Sequence, residues 1–381
     1  MRFALLLALA LAAPLAQAAA PVPATVDRSQ WPEQLNSPVL FDVASRAEIL
    51  GFARALRDSE RLAEAELALR LGLRQINLAS INTLRERLWQ RLAQNYAAAS
   101  QSCSQDASFC YAIEDLAGLR EQAGEYAIGA DSFYAQWAAP SAMFHQRYLD
   151  ELLHMAALFP QISSEIERFS GLERNGDELK DRVFLLTFEG GPALASGNTE
   201  WLADYLRRQQ LRATFFVLGN NLQKRRDGSQ GGDLRAIYRD QCVGVQGWEY
   251  RSHSQWLDWQ SSVLRSLALV QNELPRSYVA QFRPPYGQRR SDSQEFFASQ
   301  RVQVVLWDID SLDGDPRVSA DQSAQRVLTL MLLWRKGIIS FHDSEAKAQA
   351  AVPWLLQRTA QSGIAWEDCR DFDEMPGFAG H

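Results

Sequence analysis

The sequence predicts an α/β protein in which a parallel-stranded, barrel-like domain follows an all-helical N-terminal domain. Three observations carry this. Between about residues 40 and 170, apolar side chains recur at helical spacing, as in Ile81, Leu84, Leu88 and Leu92. From Val183 onward, short apolar runs alternate with amphipathic stretches, the pattern of strands joined by crossover helices and so of a parallel sheet. Residues 171–181, crowded with Glu, Arg, Asn, Gly and Asp, read as a linker between the two.

The first residues read as an address. Arg2 gives a basic start, residues 3–15 form an apolar run too short to span a bilayer, and Ala16-Gln17-Ala18 offers a small-residue cleavage site. Residues 1–18 are therefore expected to be a signal peptide. No Cys follows the run to take a lipid, and no later stretch has the length of a membrane span. The expected location is periplasmic or secreted. The remaining chain, about 360 residues, suits two domains, at 25–170 and 180–375. A formal charge of −7 and a pI near 5.4 argue against a nucleic-acid partner. Four cysteines fit an oxidising compartment: Cys103 and Cys110 enclose a short polar segment, a local disulfide candidate, whereas Cys242 with Cys369 is left open. No Cys-x-x-Cys pair with a nearby His suggests zinc.

Within the helical region, Ser45-Arg46-Ala47-Glu48 matches a capping box ahead of Ile49, Leu50 and Phe52. Residues 63–69 and the group Tyr148, Leu149, Leu152, Leu153 continue the helical signal, and no fixed repeat period emerges. His145 and His154 are read as packing or surface residues. In the second region, residues 183–188, 213–218, 302–307 and 337–341 read as strands, and Trp201, Leu202, Tyr205 and Leu206 mark a helix.

The first of these strands ends in Thr187-Phe188-Glu189-Gly190-Gly191-Pro192, which places a carboxylate at a strand's C-terminal end, where α/β enzymes keep catalytic groups. Four further motifs follow in order: the run 211–219, Phe282-Arg283-Pro284-Pro285-Tyr286-Gly287, Trp307-Asp308-Ile309-Asp310-Ser311-Leu312-Asp313, and Ile338-Ile339-Ser340-Phe341-His342-Asp343. On these five motifs, residues 180–370 resemble the NodB-type polysaccharide deacetylases, carbohydrate esterase family 4. The resemblance implies a NodB-type distorted (β/α) barrel and hydrolysis of an acetamide carbon–nitrogen bond on an N-acetylated sugar polymer. It also implies a divalent metal, zinc in type, held by Asp, His and His.

Carried over position by position, the resemblance implies His342 as general acid and Asp310 or Asp313 as the carboxylate that orients it. Arg283 and Tyr286 stand in the arginine loop, and Glu189 stands at the general-base position, one methylene longer than the family's Asp. The added reach moves a proton acceptor by about 1 Å, the scale on which catalytic alignment is lost. The metal ligands depart from the pattern: the Asp ligand falls on Gly190. In Gly247-Trp248-Glu249-Tyr250-Arg251-Ser252-His253-Ser254-Gln255-Trp256-Leu257, His253 takes the first His position and Leu257 the second. A shifted register makes His253 the second ligand and Glu249 the replacement for the first. Trp248 and Trp256, with Trp259, offer aromatic faces for sugar rings, against a reading as core; Gln281, Arg289 and Arg290 either line the same groove or are solvated.

The expected function is that of a family member acting on or binding an N-acetylated envelope or extracellular glycan, peptidoglycan-like in class. Either it is an enzyme with a rebuilt centre or a pseudoenzyme whose metal site has been dismantled. The alternative is a non-catalytic scaffold in the envelope whose helical domain binds a protein partner.

Overall fold

The computed structural model describes residues 21–194, 197–228 and 233–375; the segment assigned as signal peptide lies outside them. Ser37 accepts a hydrogen bond from the Leu40 N–H and Pro38 occupies the first turn, so helix α1 (Pro38–Glu60) begins earlier than the Ser45–Glu48 box suggests. Ser45 and Glu48 are instead buried on the helix. The Ser45 hydroxyl donates to Leu332 O, and Glu48 pairs with Arg28 and His145, both at 2.7–2.8 Å. The box was a false signal because Pro38 sets the start and tertiary partners claim both side chains.

Helices α3 (Leu78–Ala99), α4 (Leu116–Glu125) and α5 (Ala138–Leu158) pack around α1, and the short α2 (Glu64–Arg70) follows α1 in the chain. In α3 the predicted stripe Ile81, Leu84, Leu88 and Leu92 is buried. The loop closed by the Cys103–Cys110 disulfide is held from below by Arg46, whose buried guanidinium donates to Ala99 O, Asp106 O and Ser108 O.

The second region forms one nine-stranded sheet in the order β1-β6-β5-β4-β3-β2-β8-β7, with every pair parallel. The strands are β1 (Glu173–Arg174), β2 (Val183–Glu189), β3 (Thr214–Val217), β4 (Cys242–Val245), β5 (Tyr278–Phe282), β6 (Gln303–Val305), β7 (Ile309–Asp310) and β8 (Gly337–His342), with β9 (Ala365–Trp366) beside the start of β2. The crossovers are α6 (Asn198–Arg208), α7 (Gly219–Asp227), α8 (Leu234–Ile237), α9 (Trp259–Glu273), α10 (Gln294–Gln300), α11 (Ala320–Trp334) and α12 (Lys347–Thr359); α13 (Cys369–Glu374) closes the chain. The sheet curls into the distorted (β/α) barrel expected. The stretch read as a linker supplies its edge strand β1, and the second disulfide, Cys242–Cys369, ties β4 to α13.

The two regions share one apolar core. Helix α11 is buried almost all round, and Val327, Leu328, Met331 and Leu332 lie in the same cluster as Phe41, Leu50 and Phe52 of α1. Uncovering each such side chain costs roughly 1.5–3 kcal/mol, so α11 depends on the helical region for its burial. Polar clamps cross the same boundary: Arg335 pairs with Asp42 at 2.9 Å, and the Trp334 indole N–H donates to the Tyr148 hydroxyl at 2.9 Å. Among the described residues no helix is long and apolar enough to cross a membrane.

Candidate active site

Register places the chemistry. Glu189 on β2 and His342 on β8 are direct neighbours across the pair, and so are Thr187 and Ser340 two residues earlier. Because side chains alternate with period two, these four point to one face, the barrel interior, in two layers. Asp310 on β7 is in register with Ser340 and joins the lower layer.

Arg283, fully buried after β5, fills the lower layer. It donates to Thr187 Oγ1 at 2.7 Å, Ser340 Oγ at 3.1 Å, and the carbonyls of Val305 and Leu306 at 3.3 Å each. It reaches up to Glu189 Oε2 at 3.5 Å. Glu189 Oε1 lies 3.3 Å from His342 Nε2, and Nδ1 of the same ring lies 2.7 Å from Asp313 Oδ1. Asp313 also accepts from the His342 backbone N–H at 2.9 Å, so both its oxygens hold one residue. Of the two candidate orienting carboxylates Asp313 makes the contact. Asp310 instead accepts from its own loop, at Leu312 N.

The result is a closed row of charges, Arg283–Glu189–His342–Asp313. Burial favours the neutral acid at Glu189, yet His342 and Arg283 outweigh it and hold the carboxyl below its ordinary range. Burial disfavours charge on His342, but hydrogen bonds to Asp313 and Glu189 win and keep the imidazole protonated well above its usual value. Burial brings Arg283 down to about 10, still charged at neutral pH.

Of the positions the resemblance gives to metal ligands, Gly190 borders this row, with a Cβ there 3.6 Å from His342 Cδ2, while no side-chain bond ties His253 or Leu257 to it among the described residues. Gly190 offers no side chain, and its backbone N–H and carbonyl are taken by Gln246 and Asn221. Leu257 is 95% exposed. His253 is buried, with Nδ1 against Arg251 O at 2.8 Å and Nε2 against Ser262 Oγ at 3.0 Å, so both ring nitrogens are committed. Burial lowers it to about 4, which keeps it neutral. Glu249 is exposed and makes no contact with His253, so the shifted register brings no pair together. Among the described residues no three His, Cys, Asp or Glu converge as a metal set would. The residues present do not fit the metal.

Of the candidate sugar platforms, Trp248 has the Arg265 guanidinium over its ring at 3.9 Å, and Trp256 has Arg251 at 4.9 Å; Trp259 is core. The aromatic pair left open at the strand ends is Tyr286, 48% exposed, and Tyr250, 40% exposed, with ring centroids 4.6 Å apart. Tyr250 escaped the sequence reading, although it sits inside the histidine motif. Its hydroxyl is pushed up by burial and by Glu189. Arg289 is buried and pairs with Glu173, Gln281 is buried against Asp373, and Arg290 is a surface ion pair with Asp292. Asp343 lies beneath the Gly190–Pro192 turn, accepts from Thr199 Oγ1 at 2.7 Å, and is raised by burial to about 7.

Fold and site together define an α/β barrel that presents polar groups at the C-terminal strand ends, where such barrels meet their ligands. The family profile described as polysaccharide deacetylase matches residues 176–305. Over this stretch the barrel is similar to the NodB-type polysaccharide deacetylases. Among curated relatives, chitin deacetylase 1 of Saccharomyces cerevisiae is 28% identical over 172 residues, covering 41% of this chain and 50% of the relative. Peptidoglycan-N-acetylglucosamine deacetylase of Bacillus cereus is 29% identical over 151 residues, covering 38% of this chain and 50% of the relative. The chain thus spans about half the length of these relatives. A solved structure of a CE4 family pseudoenzyme from Bacillus anthracis aligns with a TM-score of 0.43 at 17% identity, over 51% of this chain and 66% of that one.

Proposed function

We propose that this protein binds an N-acetylated glycan at the strand ends, against the exposed faces of Tyr250 and Tyr286, and does not carry out the family's metal-dependent deacetylation. The observation that carries this reading is the 3.3 Å contact between Glu189 and His342. A general base works best with a pKa near the working pH, and so does a general acid. Here each group moves the other away from neutrality: Glu189 becomes a poorer proton acceptor and His342 a poorer donor. The acid–base pair is an internal ion pair. The missing donors at Gly190 and Leu257 and the committed nitrogens of His253 support the same reading, because a catalytic zinc normally needs three protein ligands.

The glycan class comes from the relatives, one a chitin deacetylase and one a peptidoglycan-N-acetylglucosamine deacetylase. Two disulfides and the apolar leader support an exported, periplasmic or secreted protein. The test is calorimetric titration of tri-N-acetylchitotriose into the full chain, with acetate release measured in parallel with and without added zinc. Binding that is lost in Tyr250→Ala and Tyr286→Ala, with no acetate released, is the expected result. Zinc-stimulated acetate release would overturn it.

A further inference from the structure

The edge strands β1 and β7 do not pair with each other, and helices α3 and α5 cover the seam between them. A cavity of about 710 Å³ lies there, within the range of small-ligand sites. It meets the barrel interior at Trp307 and Asp310, but Glu189, Arg283 and His342 do not line it.

Its charges are almost all paired. Arg91 pairs with Asp308, Arg168 with Asp177, Arg317 with Asp315 and Arg326 with Glu151. Arg87 reaches Glu167, and Lys336 donates to Asp177 O. Two lining carboxyls remain without an ion pair: Glu165, from the segment joining the helical region to the barrel, and Asp310. Trp307 is 8% exposed, and its indole N–H has no partner among the described residues. A buried indole N–H without a partner, beside two carboxyls without an ion pair, marks groups open to a ligand, since a buried polar atom left unmatched is costly; of the carboxyls, Asp310 also accepts from Leu312 N. Burial and the neighbouring Asp310 raise Glu165 to about 8.

We infer that this seam cavity binds an amino sugar, with Glu165 and Asp310 receiving the protonated amine and the Trp307 N–H donating to a ring or hydroxyl oxygen. The sugar class rests on the function proposed above; the amine rests on the unpaired carboxyls alone. A free amine is what removal of an acetyl group leaves on such a glycan, so the cavity is suited to the product of a deacetylation rather than to its substrate.

The helical region forms one wall, so the full chain is used. Titration with the trimer of glucosamine is expected to show binding that Glu165→Gln and Asp310→Asn each weaken about tenfold or more, as charge-assisted hydrogen bonds imply. Met155→Trp, which fills the cavity from its half-buried position on α5, is expected to abolish it, whereas Leu69→Ser, on the exposed face of α2 away from the cavity, leaves it intact. Binding of the N-acetylated trimer is expected to be indifferent to Glu165→Gln. Failure of the glucosamine trimer to bind, or its unchanged binding in both carboxyl variants, overturns the inference. Binding of the N-acetylated trimer in that case leaves the strand-end reading standing. Glucosamine binding at the cavity without any N-acetylated binding does the reverse.

Discussion

The proton on His342 makes a stability test of the charge row. The ring is held protonated well above its ordinary value in the folded chain, by Asp313 at 2.7 Å and Glu189 at 3.3 Å, and it titrates near pH 6.5 when unfolded. Below about pH 6.5 both states carry the proton and the stabilisation is fully present. Above that value only the folded chain keeps it, so stability falls as pH rises, until the folded pKa is passed. While only the folded chain holds the proton, the limiting slope is about 1.4 kcal/mol per pH unit. Glu165, raised to about 8, adds loss of the same sign in the lower part of that window, so the comparison must be differential. The perturbation is the pair His342→Gln and Asp313→Asn, which removes the titrating ring and its buried partner together. Urea unfolding of parent and variant from about pH 6.5 upward should show the parent losing stability more steeply than the variant, by up to about 1.4 kcal/mol per pH unit. Parallel curves would refute the ion-pair account and return His342 to the role of an ordinary acid near neutrality.

His253, neutral with a folded pKa of about 4 against 6.5, should work in the opposite sense: stability full above pH 6.5 and falling by up to about 3 kcal/mol as pH drops to about 4, a loss absent from His253→Gln unfolding curves. Opening Cys242–Cys369, separated by 127 residues, should cost about 5 kcal/mol by chain entropy and Cys103–Cys110, separated by 7, about 2 kcal/mol; calorimetry of the paired Ser variants reads the difference. Restoring donors with Gly190→Asp and Leu257→His should still give no stoichiometric zinc by elemental analysis, because His253 Nε2 stays on Ser262 and residue 190 sits at φ +85°; one zinc per chain would show the site to be intact. Gly287→Ala should destabilise the chain by about 1–3 kcal/mol in urea unfolding, since φ is +65° and a Cβ would lie 2.4 Å from the Glu165 backbone N.

Much of the barrel was legible because its motifs bind residue type to strand position. A carboxylate closing β2, an arginine after β5 and a histidine closing β8 can be placed from sequence once the strands are known. What stayed hidden depends on register and on distant packing. Nothing in Asp310-Ser311-Leu312-Asp313 says which carboxylate turns to His342; the choice follows from Asp310 lying in register with Ser340 on β7. The Ser45–Glu48 box misled because its partners, Leu332, Arg28 and His145, are up to hundreds of residues away. Glu165 was invisible for the same reason. It lies in a polar stretch without periodicity and reaches the barrel only because Arg289 anchors the segment, donating to Ser164 O and Glu167 O and bonding Ser163 through its backbone.

The charge count at the strand ends explains why the altered centre still folds around a buried guanidinium. Arg283 and His342 supply two positive charges, and Glu189 and Asp313 supply two negative ones, each in contact with its neighbour. A divalent cation added to that set would need new anions, and neither Gly190 nor the exposed Leu257 provides one. The extra methylene of Glu189 belongs to the same change. It lets one carboxylate span from Arg283 to His342 and satisfy both, which neutralises the row without a metal. Under the proposed function, the three departures from the family pattern act as one physical unit, and restoring any of them alone is expected to leave buried charge unpaired or a ligand without companions.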